Sequence, residues 1–301
     1  MKLVSVVIPT FGGGEYLERA INSVIKQDYP EIEIIVVDDN GRGTQNQILT
    51  EQRVRSFIEE KKIHYVIHET NRNGAAARNT GVKFSKGYYI AFLDDDDIFR
   101  PQKISVQVKQ LEQLDESWGM AYCSHIKIIN GKYVETVNVK KSGELLYDIL
   151  THRVTVGSSS ILIKREIFDK CGGFDETFRR HQDWEFTARV ANCCKIVAAQ
   201  VIGFERHLTF RNSANSYEKA QQHMDHYLDK MEFLIKKFSK RKQKIILLRN
   251  NLGIVLRYLR KGNPSLFIKR YKELNAGIIG MYVFFEMSLT YLLKMVLRKL
   301  L

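Results

Sequence analysis

With 301 residues, 44% of them hydrophobic and 27% charged, the chain can bury a large core as one domain or one domain plus an extension. The formal net charge is +13. Residues 231–301 hold 16 Lys and Arg against 3 Asp and Glu, so the whole excess lies there; nucleic-acid binding suits that charge but competes poorly, because the basic segment lacks a groove-reading motif and ends in an apolar helix.

The elements alternate from the start. Val4–Ile8 is a β-branched run that predicts a strand and not a signal peptide. Glu15–Lys26 follows with helical spacing at Leu17, Ala20, Ile21, Val24 and Ile25. Glu33–Val37, Ile63–His68 and Tyr88–Leu93 predict further strands, separated by helices over 44–61 and 74–85. Near-continuous apolar strands alternating with helices indicate an α/β fold with a mainly parallel sheet covered on both faces. A helix over 102–114 follows Pro101, and strands are predicted over 120–129, 159–163 and 195–201, with helices over 164–170 and 183–191. From Tyr217 the pattern is helical with a break at Gly262-Asn263-Pro264, and the domain boundary is placed near residue 215. Cys123, Cys171, Cys193 and Cys194 lack C-x-x-C spacing, which fits reduced thiols in a cytosolic environment.

In an open α/β sheet, ligands bind beyond the carboxyl ends of the strands. Four such ends carry notable residues: Pro9-Thr10-Phe11, Asp38-Asp39-Asn40-Gly41, the stretch from Asn71 to Asn79, and Asp94-Asp95-Asp96-Asp97. Adjacent carboxylates repel one another and favour a hard divalent cation such as Mg²⁺ or Mn²⁺. If strand geometry continues, Asp94 and Asp96 point the same way and can share one metal. Asp39 is an acceptor suited to the N3–H of uracil, or an Asx-turn residue. Arg78 offers a fork of donors suited to phosphate, or a surface ion pair. Gly12-Gly13-Gly14 lacks the lysine and spacing of a phosphate loop and reads as a turn. Gly157-Ser158-Ser159-Ser160 reads as a loop entering a strand, or as part of an acceptor pocket.

The series Val4-Ser5-Val6-Val7-Ile8-Pro9-Thr10-Phe11, Ile34-Ile35-Val36-Val37-Asp38-Asp39, Asn79-Thr80-Gly81, Ala91-Phe92-Leu93-Asp94-Asp95-Asp96-Asp97 and Gly172-Gly173-Phe174-Asp175-Glu176 resembles the family 2 glycosyltransferases of bacterial polysaccharide and glycolipid synthesis over about the first 205 residues. The resemblance implies a GT-A fold, Rossmann-like, with a helical C-terminal extension. It further implies a hexosyltransferase with a nucleotide-sugar donor, most often UDP-linked, a divalent metal, and inversion at the anomeric carbon. By position, Thr10, Phe11, Glu15, Asp39, Arg78, Asp94 and Asp95 would line the nucleotide site. Asp94-Asp95-Asp96 matches the D-x-D element, with Asp96, and Asp94 beside it, as metal ligands. His181-Gln182-Asp183-Trp184 aligns with the acceptor-side motif and makes Asp183 the general base, with His181, Gln182 and Trp184 around the acceptor. The chain departs from the pattern in having Gly12 for Asn, extra acids at Asp95 and Asp97, and Gln182 for Glu. It lacks the Q-x-x-R-W element of processive members, which implies addition of one sugar.

The division expected is a catalytic domain over 1–215 and a basic helical region over 216–301. Basic residues set among apolar ones, ahead of the almost wholly apolar stretch Ala276–Leu293, fit attachment to an anionic membrane surface. Packing on the catalytic domain and a true span are the alternatives for that stretch. The expected acceptor is a saccharide or lipid-linked saccharide, and the expected place the cytoplasmic face of the membrane. A non-catalytic nucleotide-binding protein tethered to the membrane is the alternative function.

Overall fold

The computed structural model describes residues 1–208, 217–260, 262–274 and 276–300, with side chains described throughout except at 217, 259–260 and 290–300. The boundary expected near residue 215 lies outside the described residues. The chain divides into two compact units, one of residues 1–145 and 155–211, the other of residues 146–154 and 212–301.

In the first unit the described elements are β1 (Val4–Thr10), α1 (Leu17–Ile25), β2 (Ile32–Asp38), α2 (Gln45–Glu59), β3 (His64–Ile67), α3 (Gly74–Phe84), β4 (Tyr89–Phe92), β5 (Ile98–Phe99), α4 (Lys103–Glu112), β6 (Trp118–Ile129) and β7 (Lys132–Val137). After the segment belonging to the second unit, whose helix is α5 (Leu146–Leu150), come β8 (Leu162–Lys164), α6 (Arg165–Lys170), α7 (Gln182–Cys193) and β9 (Lys195–Leu208). The sheet runs β3-β2-β1-β4-β8-β6-β9-β5, with β7 paired to β6. The first four strands are mutually parallel, β8 is antiparallel to both of its neighbours, and β6 and β9 are parallel.

Strand alternation sends residues to two faces. Val4, Val6 and Ile8 of β1 with Ile34 and Val36 of β2 pack on one face with Leu17, Ile21 and Val24 of α1, Val54 of α2, and Ile104, Val108 and Leu111 of α4. Ile35 and Val37 meet Ala77 of α3 on the other face. There Phe92 also meets Phe168 and Phe174, and Phe174 stacks on Phe186 of α7 at 4.2 Å. Gly81 in α3 marks a close approach, since a Cβ there would lie 2.2 Å from Val7 Cγ1.

In place of the strand expected over 159–163, a single helical turn at Ser158–Ser160 precedes the shorter β8. β7 follows Asn130-Gly131, both at positive φ, the geometry of a two-residue hairpin turn.

The second unit joins α5 to α8 (Tyr217–Ile235), α9 (Lys240–Arg260), α10 (Pro264–Glu273) and α11 (Gly277–Leu300). Asn263 caps α10 by accepting from Leu266 N, with Pro264 in the first turn. Leu248 and Leu252 of α9 pack with Ala276 and Val283 to form its core. Buried Asn250 donates to the Leu150 and Ile246 carbonyls, leaving its Oδ1 as an acceptor. His152 Nε2 lies 2.7 Å from that oxygen, so Nε2 carries the proton. None of the described helices is long and apolar enough to cross a membrane.

Candidate active site

Because β1 to β4 are parallel, their carboxyl ends gather the loops that the sequence singled out. Gly12, Gly13 and Gly14 all adopt positive φ, a run that side chains with a Cβ rarely accept. The turn is fixed by Gly12 N donating to Asn40 Oδ1 at 2.7 Å and by Arg53 donating to the Gly13 carbonyl at 2.7 Å.

Asp39 is buried and its carboxylate is crowded with donors. Oδ1 accepts from Arg72 N and from His68 Nδ1, at 2.8 and 2.7 Å. Oδ2 accepts from Asn71 Nδ2 and Asn73 N, both at 2.8 Å. These bonds use the full acceptor capacity of a carboxylate and hold the loop before α3 against the end of β2. A pyrimidine N3–H can reach Asp39 only by displacing one of them. Asp38 beside it is fully buried, accepts from Tyr65 Oη and from Asn40, and is pushed above the ordinary carboxylate range by burial.

The acidic run does not continue the strand. β4 ends at Phe92, and Asp97 N donates to the Asp94 carbonyl at 3.0 Å, closing a turn. The extended alternation that would aim Asp94 and Asp96 alike is therefore replaced by turn geometry. Within it the four acids have different surroundings. Asp97 is buried, accepts from Ser159 Oγ at 2.7 Å and His207 N at 3.0 Å, and is held well above its usual pKa by burial and by Asp94. It is a structural acid. Asp95 accepts from Thr10 Oγ1 at 2.6 Å, and burial raises its pKa to about 6 against that bond, with Asp96 and Asp94 adding to the rise. Asp94 Oδ1 pairs with Arg78 at 2.5 Å. The Asp96 carbonyl accepts from Arg19 at 2.9 Å.

Among the described residues no three His, Cys, Asp or Glu side chains form a metal cage. Mn²⁺ or Mg²⁺ requires none, since one or two carboxylates suffice with water and phosphate oxygens completing the shell. The half-buried acids of this turn suit such a hard cation: Asp95, raised mainly by burial and further by Asp96 and Asp94, is a carboxylate whose charge a cation would favour.

Arg78 joins the two sides of the site. From the first turns of α3, capped by Asn73, its guanidinium donates to Asp94 Oδ1 and to Gln182 Oε1, the latter at 3.0 Å, and lies over the Phe174 ring. Its buried Nε has no hydrogen-bond partner among the described residues. Gln182 opens α7, and Asp183 follows with Oδ1 accepting from Trp184 N at 3.0 Å. Burial pushes the Asp183 carboxyl above its ordinary range; Arg78 opposes the rise and Asp94 adds to it. His181 precedes the helix at φ 62°, a left-handed conformation costly for a non-glycine residue, and its ring stacks on Trp184 at 4.1 Å. The loop over Cys171–Glu176 ties α3 to α7: Asn79 Nδ2 of α3 donates to the Phe174 carbonyl, and Arg189 of α7 donates to those of Cys171 and Gly173.

The structure thus brings Thr10, Asp95, Asp94, Arg78, Gln182 and Asp183 into one connected region. The side chains of Phe11 and Glu15 stand exposed in the turn after β1, and the Phe11 backbone N–H donates to the Asp95 carboxylate. Ser159, whose hydroxyl also accepts from Asp94 N at 3.1 Å, has a positioning contact that the serine run alone does not announce.

Solved structures share this open sheet with its parallel leading strands. A mannosyltransferase from Pyrobaculum calidifontis, in complex with GDP-Man and Mn²⁺, superposes with a TM-score of 0.62 at 16% identity, over 97% of this chain and 81% of that one. S. aureus TarS (residues 1–349), in complex with UDP-GlcNAc, gives a TM-score of 0.56 at 17% identity, over 89% of this chain and 90% of the other. The family model for glycosyl transferase family 2 matches residues 5–172, more than half of the chain, and the chain belongs to that family. It is a glycosyltransferase, and the GT-A fold expected from its motifs is the one observed. An uncharacterized glycosyltransferase of Rickettsia prowazekii (strain Madrid E) is 30% identical over 285 residues, 90% of this chain and 83% of its own length. The amylovoran biosynthesis glycosyltransferase AmsB of Erwinia amylovora is 29% identical, over 62% of each chain. The chain spans only 36% of the length of another relative, an uncharacterized glycosyltransferase of Rickettsia felis.

Proposed function

We propose that the protein is an inverting transferase that moves one sugar from a nucleotide sugar, a UDP-sugar, to a hydroxyl of a lipid-linked saccharide in surface polysaccharide synthesis. The observation that carries this reading is the Arg78 fork, one arm on Asp94 and the other on Gln182, beside Asp183. It couples the acid turn that would face the donor to the helix start that would face the acceptor.

Asp183 acts as general base. Its carboxylate takes the proton of the acceptor hydroxyl as that oxygen bonds to the anomeric carbon, and the bond from that carbon to the diphosphate oxygen breaks with its electron pair leaving on the diphosphate. One displacement from the opposite face inverts the centre. Arg78 supplies fixed positive charge where the diphosphate charge grows, and its partnerless Nε is a further donor there. Asp96 and Asp94 would hold a divalent cation, which when bound would neutralise the same charge. Thr10, Phe11, Glu15 and Asp95 would line the nucleotide, and Asp39 would read the base once Asn71 Nδ2 yields its place. His181 and Trp184 present a stacked aromatic pair for the acceptor saccharide. Residues 1–215, apart from the 146–154 segment that belongs to the helical unit, form the catalytic domain in this reading. The basic region over 216–301 holds the enzyme peripherally on the cytoplasmic face of the membrane, where a lipid-linked acceptor would lie.

The relatives' part in polysaccharide synthesis supports the acceptor class, and the nucleotide sugars in the neighbouring structures support the donor class. The test is Asp183→Asn. Turnover should fall about 10³-fold while affinity for the nucleotide sugar, read by calorimetry, stays within about twofold. Wild-type turnover in that variant would remove Asp183 as base.

A further inference from the structure

Helix α11 is apolar on two opposite sides, and one of them is uncovered. Val283 is fully buried against Leu248 and Leu252 of α9, with Phe284 and Met287 packed on the same cluster. On the other side Ile278 is 81% exposed, Met281 51%, Tyr282 59%, Phe285 70% and Leu289 59%. At about 100° per residue these five positions fall within an arc of roughly 100°, a continuous stripe along the helix. Isolated exposed apolar residues are ordinary, whereas a contiguous patch of this kind marks a surface that something covers.

The acid of this stretch is removed from the stripe. Glu286 accepts from Arg153 Nε and Nη2 at 3.2 and 3.1 Å and forms an ion pair with Arg249 Nη1 at 2.9 Å. Both arginines belong to the same unit. The same unit exposes many basic residues, among them Lys240, Arg241, Lys242 and Lys244 on α9 and Lys269 and Lys272 on α10, beside exposed Ile268, while the exposed acid of α10, Glu273, is paired to Arg270. The excess of +13 over residues 231–301 decides between occupants. A second copy would bring a like excess to the same face, whereas anionic headgroups complement it.

We propose that the Ile278–Met281–Tyr282–Phe285–Leu289 side of α11 lies in the headgroup–acyl boundary of an anionic bilayer, with Arg153 and Arg249 holding the Glu286 carboxylate out of the lipid. The inference rests on the reading of residues 216–301 as a peripheral membrane region, and it names the face that enters the bilayer.

The experiment uses the full chain with sedimenting vesicles of phosphatidylcholine alone and of phosphatidylcholine mixed with phosphatidylglycerol. Wild type should bind the anionic vesicles at least tenfold more tightly. Tyr282→Ser with Phe285→Ser should weaken that binding at least tenfold at an unchanged unfolding midpoint. In Phe285→Trp the added indole should be quenched by lipids brominated on the acyl chains, with Trp118 and Trp184 of the wild type as the baseline. Tight vesicle binding by the serine variant, without quenching in the tryptophan variant, would overturn the α11 face and leave peripheral attachment standing. Failure of the wild type to bind either vesicle would overturn both. A wild-type dimer in light scattering that the serine variant splits would assign the face to a second copy and overturn the proposal.

Discussion

The two units place their charged groups by opposite rules. In the catalytic unit, acids accumulate beyond the strand ends and are satisfied largely by neutral donors: Asp39 by amides and His68, Asp97 by Ser159 and the His207 amide, Asp95 by Thr10. Arg78 is the cation set against the turn. In the helical unit Glu286, on the otherwise apolar stretch of α11, is held by Arg153 and Arg249, while many lysines and arginines face outward. Neutral donors leave carboxylate charge available to a cation or a departing proton. Paired arginines cancel charge where an apolar surface must stay apolar. On the proposed reading the first arrangement serves chemistry and the second serves docking.

If that contrast is right, the largest effect comes from removing the cation of the catalytic unit. Arg78→Ala should lower kcat/KM by about 10²–10³, about 3–4 kcal/mol of transition-state stabilisation. Arg153→Ala should leave turnover on a soluble acceptor near wild type, and steady-state kinetics on both variants reads the contrast. A smaller effect separates the units by packing. Gly81→Ala drives a methyl into Val7 and should cost about 1–3 kcal/mol, whereas Gly253→Ala in α9 meets open space. The latter should stabilise by up to about 1 kcal/mol through helix propensity. Denaturant midpoints of the two variants should move in opposite directions.

Acid sharpens the same comparison. In the helical unit burial lowers the His152 pKa to about 4, with the Asn250 bond opposing. The unfolded chain, with histidine near 6.5, therefore binds the proton first as pH falls. Stability from this group is present above about pH 6.5 and is lost on descent toward 4, on the order of 1–2 kcal/mol for a half-buried ring. Wild type should lose more stability than His152→Gln between pH 7 and 4.5 in urea titrations. An equal loss in both would show that His152 does not carry the linkage.

Much of this arrangement was legible in the chain. The β-branched runs at Val4, Ile34 and Ile90 locate β1, β2 and β4, and parallel order then gathers their loops at one edge. Asn130-Gly131 carries a hairpin signal that the strand over 120–129 leaves unused, and β7 follows from it. Long-range partnership was not legible. Ser159 reaches Asp97 across 62 residues and Arg78 reaches Gln182 across 104, and no local pattern encodes either. The acid turn also defeats local reading, because four aspartates are equivalent in sequence and are distinguished only by which neighbour donates to each. Asp39 is legible as an acceptor, but the filling of its acceptor sites depends on a loop that returns more than thirty residues later.

The central claim is that the acid turn and Arg78 form a metal-assisted nucleotide site at the strand ends. It is tested most directly by thermal denaturation with UDP-, GDP- and dTDP-sugars, each with Mn²⁺ and with EDTA, on wild type and on Asp96→Asn. A ligand that binds only the native state raises the midpoint by mass action. The account predicts a rise for wild type with the UDP-sugars and Mn²⁺ that EDTA removes and that Asp96→Asn lacks. No metal-dependent rise with any of the three nucleotides, or an undiminished rise in Asp96→Asn, would contradict it.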